Sequence, residues 1–117
     1  MKNKHLIEHL LRLSNIIYLY NLHSTERIIK SELEEFRISL EKYIRSLYEI
    51  LISNNLKEAL PVLLIPEAIT ITEKEKLITL LISSREYIKT HKEGLDEYII
   101  NIILSKLSKL IYSLKLT

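Results

Sequence analysis

This chain of 117 residues contains almost nothing that would interrupt a helix. It has one glycine and two prolines, whereas 20 isoleucines and 23 leucines contribute to a hydrophobic fraction of 47%. Because few chain breaks and abundant apolar surface favour long helices packed on one another, the composition predicts an all-α fold. The length suffices for one hydrophobic core, so we expect a single helical domain over residues 1–117.

Charge and cysteine content limit the classes of function. The net charge of +2 permits an RNA partner without requiring one. The absence of cysteine excludes disulfides, thiolate metal sites and cysteine nucleophiles, and it fits a cytoplasmic location. Glu8 and Arg12 interrupt any apolar signal-peptide core, and the uncharged run Leu13–Thr25 is too short and too polar to span a bilayer. We therefore expect a soluble protein with no membrane partner.

Apolar residues recur at intervals of three and four in four long segments, which is the spacing of one helix face. The predicted helices run from Lys4 to about Leu22, from Ser31 to Ser53, from Glu73 to about His91, and from Asp96 to about Leu114. The expected architecture is a bundle of four to five helices with up-down topology. Its predicted core positions are Leu6, Leu10, Leu13, Ile17, Tyr20, Leu33, Phe36, Leu40, Tyr43, Ile44, Leu47, Leu51, Leu77, Leu80, Leu81, Ser84, Ile88, Ile99, Ile100, Ile103, Leu107, Leu110 and Leu114.

Capping residues set the predicted helix starts. Ser31 with Glu34 has the pattern of a capping box, which predicts a break or kink near Lys30 before the longest helix. Thr72 with Glu75 has the same pattern and opens the next helix.

Proline and glycine set the remaining boundaries. Pro61 and Pro66 predict a short helix and an extended connection between Leu56 and Thr72. Gly94 is expected to end the third helix, and the carboxylate of Asp96 to cap the last one.

Arg85 and His91 are the candidate catalytic residues, and five residues lie between them. An arginine is a permanent planar cation that matches phosphate oxygens, and a histidine exchanges a proton near neutral pH. Such a pair can cleave a phosphodiester without a metal or a cofactor. Positions six apart on an ideal helix point about 120° away from each other, so the pair converges only if the helix ends near His91 or if a twofold interface brings two copies together. In the alternative interpretation, Arg85 is a solvated surface residue and His91 is favoured by the helix dipole.

Four lysines are the candidate RNA-binding residues, because they are the cations best placed to guide an RNA backbone toward that pair: Lys89, Lys92, Lys106 and Lys109. The simpler interpretation of Lys106 and Lys109 is that they are solvated and complement the dipole of the last helix. His5 and His9 are one helical turn apart, but Glu8 between them is expected to point elsewhere, so we predict a surface pair and no metal site.

The carboxy-terminal half resembles the HEPN domains of the HepT toxin subfamily, from about Ser39 to Leu114. The resemblance rests on Tyr43–Glu49, on Leu64-Ile65-Pro66, on the interval from Arg85 to His91, and on Gly94-Leu95-Asp96 followed by Tyr98–Ile103. It implies a dimeric endoribonuclease toxin that cleaves RNA without metal and is silenced by a nucleotidyltransferase antitoxin.

The chain departs from that family at two positions. Glu86 stands where the family usually has Asn, and Glu93 stands where it commonly has the Tyr that the antitoxin modifies. An inactive relative of the toxins therefore belongs to the same expectation. The alternative from a different class is a non-enzymatic helical bundle, for example like the helical domains of GINS subunits, that binds protein partners through apolar helix faces.

Overall fold

The structure is a computed structural model and describes residues 4–24, 27–53, 71 and 73–117. Within these residues the protein is all-helical, with four helices: α1 (Lys4–His23), α2 (Arg27–Ser53), α3 (Lys74–Thr90) and α4 (Glu97–Leu116). The helix α1 packs against α2 and α3, and α4 packs against α3 and α2. The prediction of an all-helical bundle is therefore confirmed for the described part of the chain.

The core is a continuous cluster of aliphatic side chains contributed by all four helices. It holds most of the predicted positions, and it also contains Ile7, Ile16, Ile29 and Ile111. Tyr43, Leu80 and Ile99 were predicted to be in the core, but they are only partly buried and pack against its edge. The side chain of Leu51 lies outside the described residues.

The predicted break near Lys30 is wrong, because α2 is continuous from Arg27 to Ser53. Ser31 is exposed within this helix. The apolar stripe continues upstream of the predicted start, since Ile29 and Leu33 are both buried at the spacing of one helical turn. The side-chain amide of Asn21 on α1 also donates a hydrogen bond to the Lys30 carbonyl (3.1 Å). Tertiary burial therefore outweighs the local capping signal at Ser31.

The boundaries of α3 and α4 follow the sequence pattern. Gly94 has a φ of 82°, which is the left-handed conformation that glycine adopts without steric cost. An oxygen of the Asp96 side chain accepts hydrogen bonds from the backbone N–H groups of Tyr98 and Ile99 and so caps α4. The predictions for Leu56–Thr72 fall almost entirely outside the described residues. Thr72, which was predicted to form a capping box with Glu75, also lies outside them. No described helix is long and apolar enough to cross a membrane.

Candidate functional site

The end of α3 places His91 at a defined point on the surface. Its backbone N–H donates to the Tyr87 carbonyl (3.1 Å) and to the Ile88 carbonyl (3.4 Å), which ends the helix. The chain then turns, with the N–H of Leu95 donating to the Lys92 carbonyl (3.2 Å). His91 is exposed in this turn, so a solvent-borne substrate can reach it.

The neighbours of the His91 imidazole favour one of its two tautomers. Its Nδ1 lies 2.9 Å from the Tyr87 carbonyl oxygen and 2.8 Å from the Thr90 hydroxyl. A carbonyl oxygen only accepts hydrogen bonds, so the contact with Tyr87 favours the neutral tautomer with the proton on Nδ1. The lone pair is then on Nε2. This arrangement suits His91 to accept a proton from a bound hydroxyl group.

Tyr87 lies between two histidines and joins α3 to α1. Its ring stacks on His91 with a centroid distance of 4.0 Å and on His9 with a centroid distance of 4.3 Å. The planes of Tyr87 and His91 differ by 14°, and those of Tyr87 and His9 by 24°. We call this group the aromatic stack, comprising His9, Tyr87 and His91.

His9 is the partly buried end of the aromatic stack. Burial, together with the smaller effects of the positive charges of Arg12 and His91, lowers the pKa of His9 from 6.5 to about 4. Its Nε2 is buried and has no hydrogen-bond partner among the described residues. His9 therefore stays neutral at neutral pH and adds no positive charge beside His91.

The sequence interpretation of His5 and His9 as a surface pair is wrong for His9. His9 belongs to the aromatic stack, and Glu8, which was expected to point elsewhere, lies 3.8 Å from Nδ1 of His5. Among the described residues, no group of three His, Cys, Asp or Glu side chains is arranged to hold a metal ion.

Arg85 is directed toward α4 and not toward His91. One of its terminal nitrogens donates to the Ser108 hydroxyl (3.4 Å), and its Nε lies 3.8 Å from the Glu86 carboxylate. That Nε is buried without a hydrogen-bond partner among the described residues. Within one described chain, Arg85 and His91 share no hydrogen bond, in agreement with the angle between their positions on α3.

The four candidate RNA-binding lysines fall into two groups. Lys89 and Lys92 lie at the end of α3 near His91, where Lys89 pairs with Glu86 (3.5 Å). Lys106 and Lys109 lie on α4 and line a groove of about 540 Å³ between α4 and α2. The second pair therefore faces α2, away from the edge of α4 that contacts Arg85.

The aromatic stack was not predicted from the sequence. The four-residue spacing of Tyr87 and His91 indicates that their side chains lie on one face of a helix, and this signal was available. The contact with His9 is a tertiary one between α1 and α3, and no spacing in the sequence specifies it.

The described residues define an all-α protein, a bundle of four helices with a histidine-containing aromatic stack at one end. No protein-family model, no curated protein and no solved structure matches the chain.

Proposed function

We propose that this protein is an endoribonuclease of the HEPN type, similar to HepT toxins, and that His91 is its proton-transfer residue. The observation that carries the proposal is the position of His91. It is exposed after the last turn of α3, and the Tyr87 carbonyl at Nδ1 directs the lone pair of the neutral ring to Nε2. A general base with these properties suits phosphodiester cleavage at neutral pH.

The proposed reaction uses the 2′-hydroxyl of the RNA as the nucleophile. Nε2 of His91 accepts the hydroxyl proton while the oxygen attacks the phosphorus. The bond from phosphorus to the 5′ oxygen breaks, and that oxygen takes a proton from water. The products are a 2′,3′-cyclic phosphate and a 5′-hydroxyl end, so neither a metal nor a cofactor is consumed.

The negative charge that develops on the phosphate needs a cation, for which the chain offers two sources. The first is Arg85 of a second copy, as the HEPN resemblance implies for a site completed at a dimer interface. The second is Arg12 of the same chain, which is exposed on α1 and close enough to His9 to lower its pKa. Lys89 and Lys92 would guide the RNA backbone toward either arrangement.

The test is cleavage of a labelled RNA by purified protein in excess chelator, with DNA of the same sequence as a substrate that lacks the 2′-hydroxyl. We expect His91→Ala to reduce the rate by about a hundredfold or more. His23→Ala is the matched control, because His23 is likewise an exposed histidine at the carboxyl end of a helix. Its rate should equal that of the natural chain.

Arginine variants then identify the cation. Loss of cleavage in Arg85→Ala supports a site completed by a second copy, whereas loss in Arg12→Ala supports a site within one chain. Arg45→Ala, at an exposed arginine on α2, controls for the general loss of a positive charge. Cleavage that persists in His91→Ala, or a natural chain that does not cleave RNA, would contradict the proposal.

The biological role that goes with this activity is that of a toxin paired with a nucleotidyltransferase antitoxin. Expression of the chain alone should then arrest growth, and His91→Ala should remove the effect. Glu93 replaces the family's modified Tyr, so control by nucleotide transfer would require another acceptor, and Tyr98 is exposed nearby.

A second candidate function, an assembly subunit without enzymatic activity, is favoured by the groove between α2 and α4. Ile38 on its rim is 57% exposed, and charged side chains of opposite sign line its two walls. A face of this kind suits contact with another protein. Under this alternative, the chain is harmless when expressed alone, and His91 has no catalytic role and only caps the end of α3.

A further inference from the structure

The groove between α2 and α4 has two walls of opposite charge. Glu32 and Glu35 line the α2 side, Lys106 and Lys109 line the α4 side, and Phe36 lies between them with Leu110. Phe36 and Leu110 are almost fully buried, so they form an apolar floor, and Ile38 is exposed at the rim. We call this surface the α2/α4 face.

These four charged side chains have no ion-pair partner in the part of the chain that the structure describes, although they line the same groove. Elsewhere on α2, by contrast, Arg37 forms ion pairs with Glu34 and Glu41. The α2/α4 face therefore presents an acidic row and a basic row side by side, each available to a partner that carries the complementary row.

We infer that the partner is a second copy of this chain and that two copies form a symmetric dimer through the α2/α4 face. A twofold axis that runs along the groove places α2 of one copy opposite α4 of the other. The acidic row of each copy then meets the basic row of its partner. Because the rotation does not shift either copy along the axis, rows that are level in one chain remain level across the interface.

Charge disfavours the orientation with the twofold axis across the groove. A twofold axis across the groove would place α2 against α2 and α4 against α4. Glutamates would then face glutamates and lysines would face lysines, which is unfavourable. Electrostatics therefore favours the axis along the groove over the axis across it.

The available area fits a stable but modest dimer. The 20 residues of α4 extend about 30 Å, and two adjacent helices present a face roughly 20 Å wide. Such a face would remove about 1,200 Å² from solvent in total, at the lower end of the range for specific interfaces. The dimer should therefore dissociate on dilution, and high salt should weaken it.

This inference goes beyond the proposed ribonuclease activity and does not depend on it. The dimer would cover the α2/α4 face and leave His91, at the end of α3, outside the interface. Each copy would then keep its own His91 exposed to solvent.

The experiment uses two charge-reversed forms of the full chain and measures molar mass by sedimentation over a range of concentrations. The basic form carries Glu32→Lys and Glu35→Lys, and the acidic form carries Lys106→Glu and Lys109→Glu. In each form both rows have the same sign. We expect the dissociation constant of each form alone to rise at least about tenfold above that of the natural chain.

Mixing the two forms restores complementarity at both rows. An equimolar mixture should therefore form a heterodimer about as tight as the natural homodimer. Glu73→Lys with Glu75→Lys is the matched control for the basic form, because it makes the same change in net charge at exposed positions at the start of α3, outside the groove. That control should dimerise as the natural chain does.

Three outcomes would overturn the inference. The first is a natural chain that stays monomeric throughout the concentration series. The second is dimerisation that persists in the separate charge-reversed forms, which would assign the interface to another face. The third is failure of the two forms to pair although each shows the helical circular dichroism and cooperative melting of the natural chain.

Discussion

His9, the partly buried end of the aromatic stack, makes the stability of the protein depend on pH. The pKa of His9 is about 4 in the folded chain against 6.5 in the unfolded one. Between these values the unfolded chain binds a proton that the folded chain does not, so the free energy of unfolding falls as pH falls through this window. Above the unfolded value the contribution is fully present.

The size of this effect follows from the difference in pKa. Each tenfold change in proton affinity corresponds to about 1.4 kcal/mol, so the upper limit is roughly 3 kcal/mol. Because His9 is only partly buried, contact with water screens its charge, and we expect about 1 to 2 kcal/mol. This is a substantial share of the stability of a small domain.

Replacing His9 with phenylalanine isolates the effect. His9→Phe keeps an aromatic ring against Tyr87 and removes both the titrating group and the unpaired Nε2. Urea unfolding followed by far-ultraviolet circular dichroism, near pH 7.5 and again near pH 4.5, gives the loss of stability for each chain. We expect the natural chain to lose about 1 to 2 kcal/mol more than His9→Phe.

The comparison has its own control in His5→Gln, which removes an exposed histidine of the same helix. That variant should lose as much stability on acidification as the natural chain. Equal losses in the natural chain and His9→Phe would refute the reasoning, because His9 would then have the same pKa in the folded and unfolded states.

Three further changes test how the helices are held. Asp96→Ala should lower the free energy of unfolding by about 1 kcal/mol in urea titrations, because two backbone N–H groups at the start of α4 lose their acceptor, and Asp96→Asn should restore most of it. Gly94→Ala should lower the free energy of unfolding by about 1 kcal/mol in the same titrations, since a residue with a Cβ atom is strained at a φ of 82°. An unchanged urea midpoint would contradict this. Arg37→Leu should lower the free energy of unfolding by about 1 to 2 kcal/mol, because it removes the ion pairs with Glu34 and Glu41 and the contact of the guanidinium with the Tyr18 ring at 5.3 Å. The loss should be larger at low salt than at high salt, since salt screens ion pairs.

The sequence predicted the helices well where local and tertiary signals agree. The ends of α1, α3 and α4 lie within a few residues of their predicted positions, because apolar spacing, Gly94 and the Asp96 cap all indicate the same boundaries. At Ser31 the local capping pattern disagreed with the burial of Ile29 and Leu33, and burial prevailed. A local pattern does not contain the energy of contacts made by distant segments.

Only part of the candidate site was predictable, because local patterns do not contain the contacts between distant segments. The position of His91 next to a turn follows from the sequence, and so does the angle that separates it from Arg85. The contact of His9 with Tyr87 depends on how α1 packs on α3. The facing rows of Glu32 with Glu35 and Lys106 with Lys109 likewise depend on the packing of α2 and α4. These pairings join residues far apart in the chain, which periodicity does not relate to each other.

The order in which helices neighbour each other has a consequence for the folding kinetics. Pairs that are adjacent along the chain, α1 with α2 and α3 with α4, are also packed together. Each pair is a local hairpin that forms without closing a long loop, whereas the contacts of α1 with α3 and of α2 with α4 require the two hairpins to dock. We expect formation of the hairpins to limit the folding rate, with docking after it. Substitutions in the aromatic stack should then accelerate unfolding and leave the folding rate nearly unchanged.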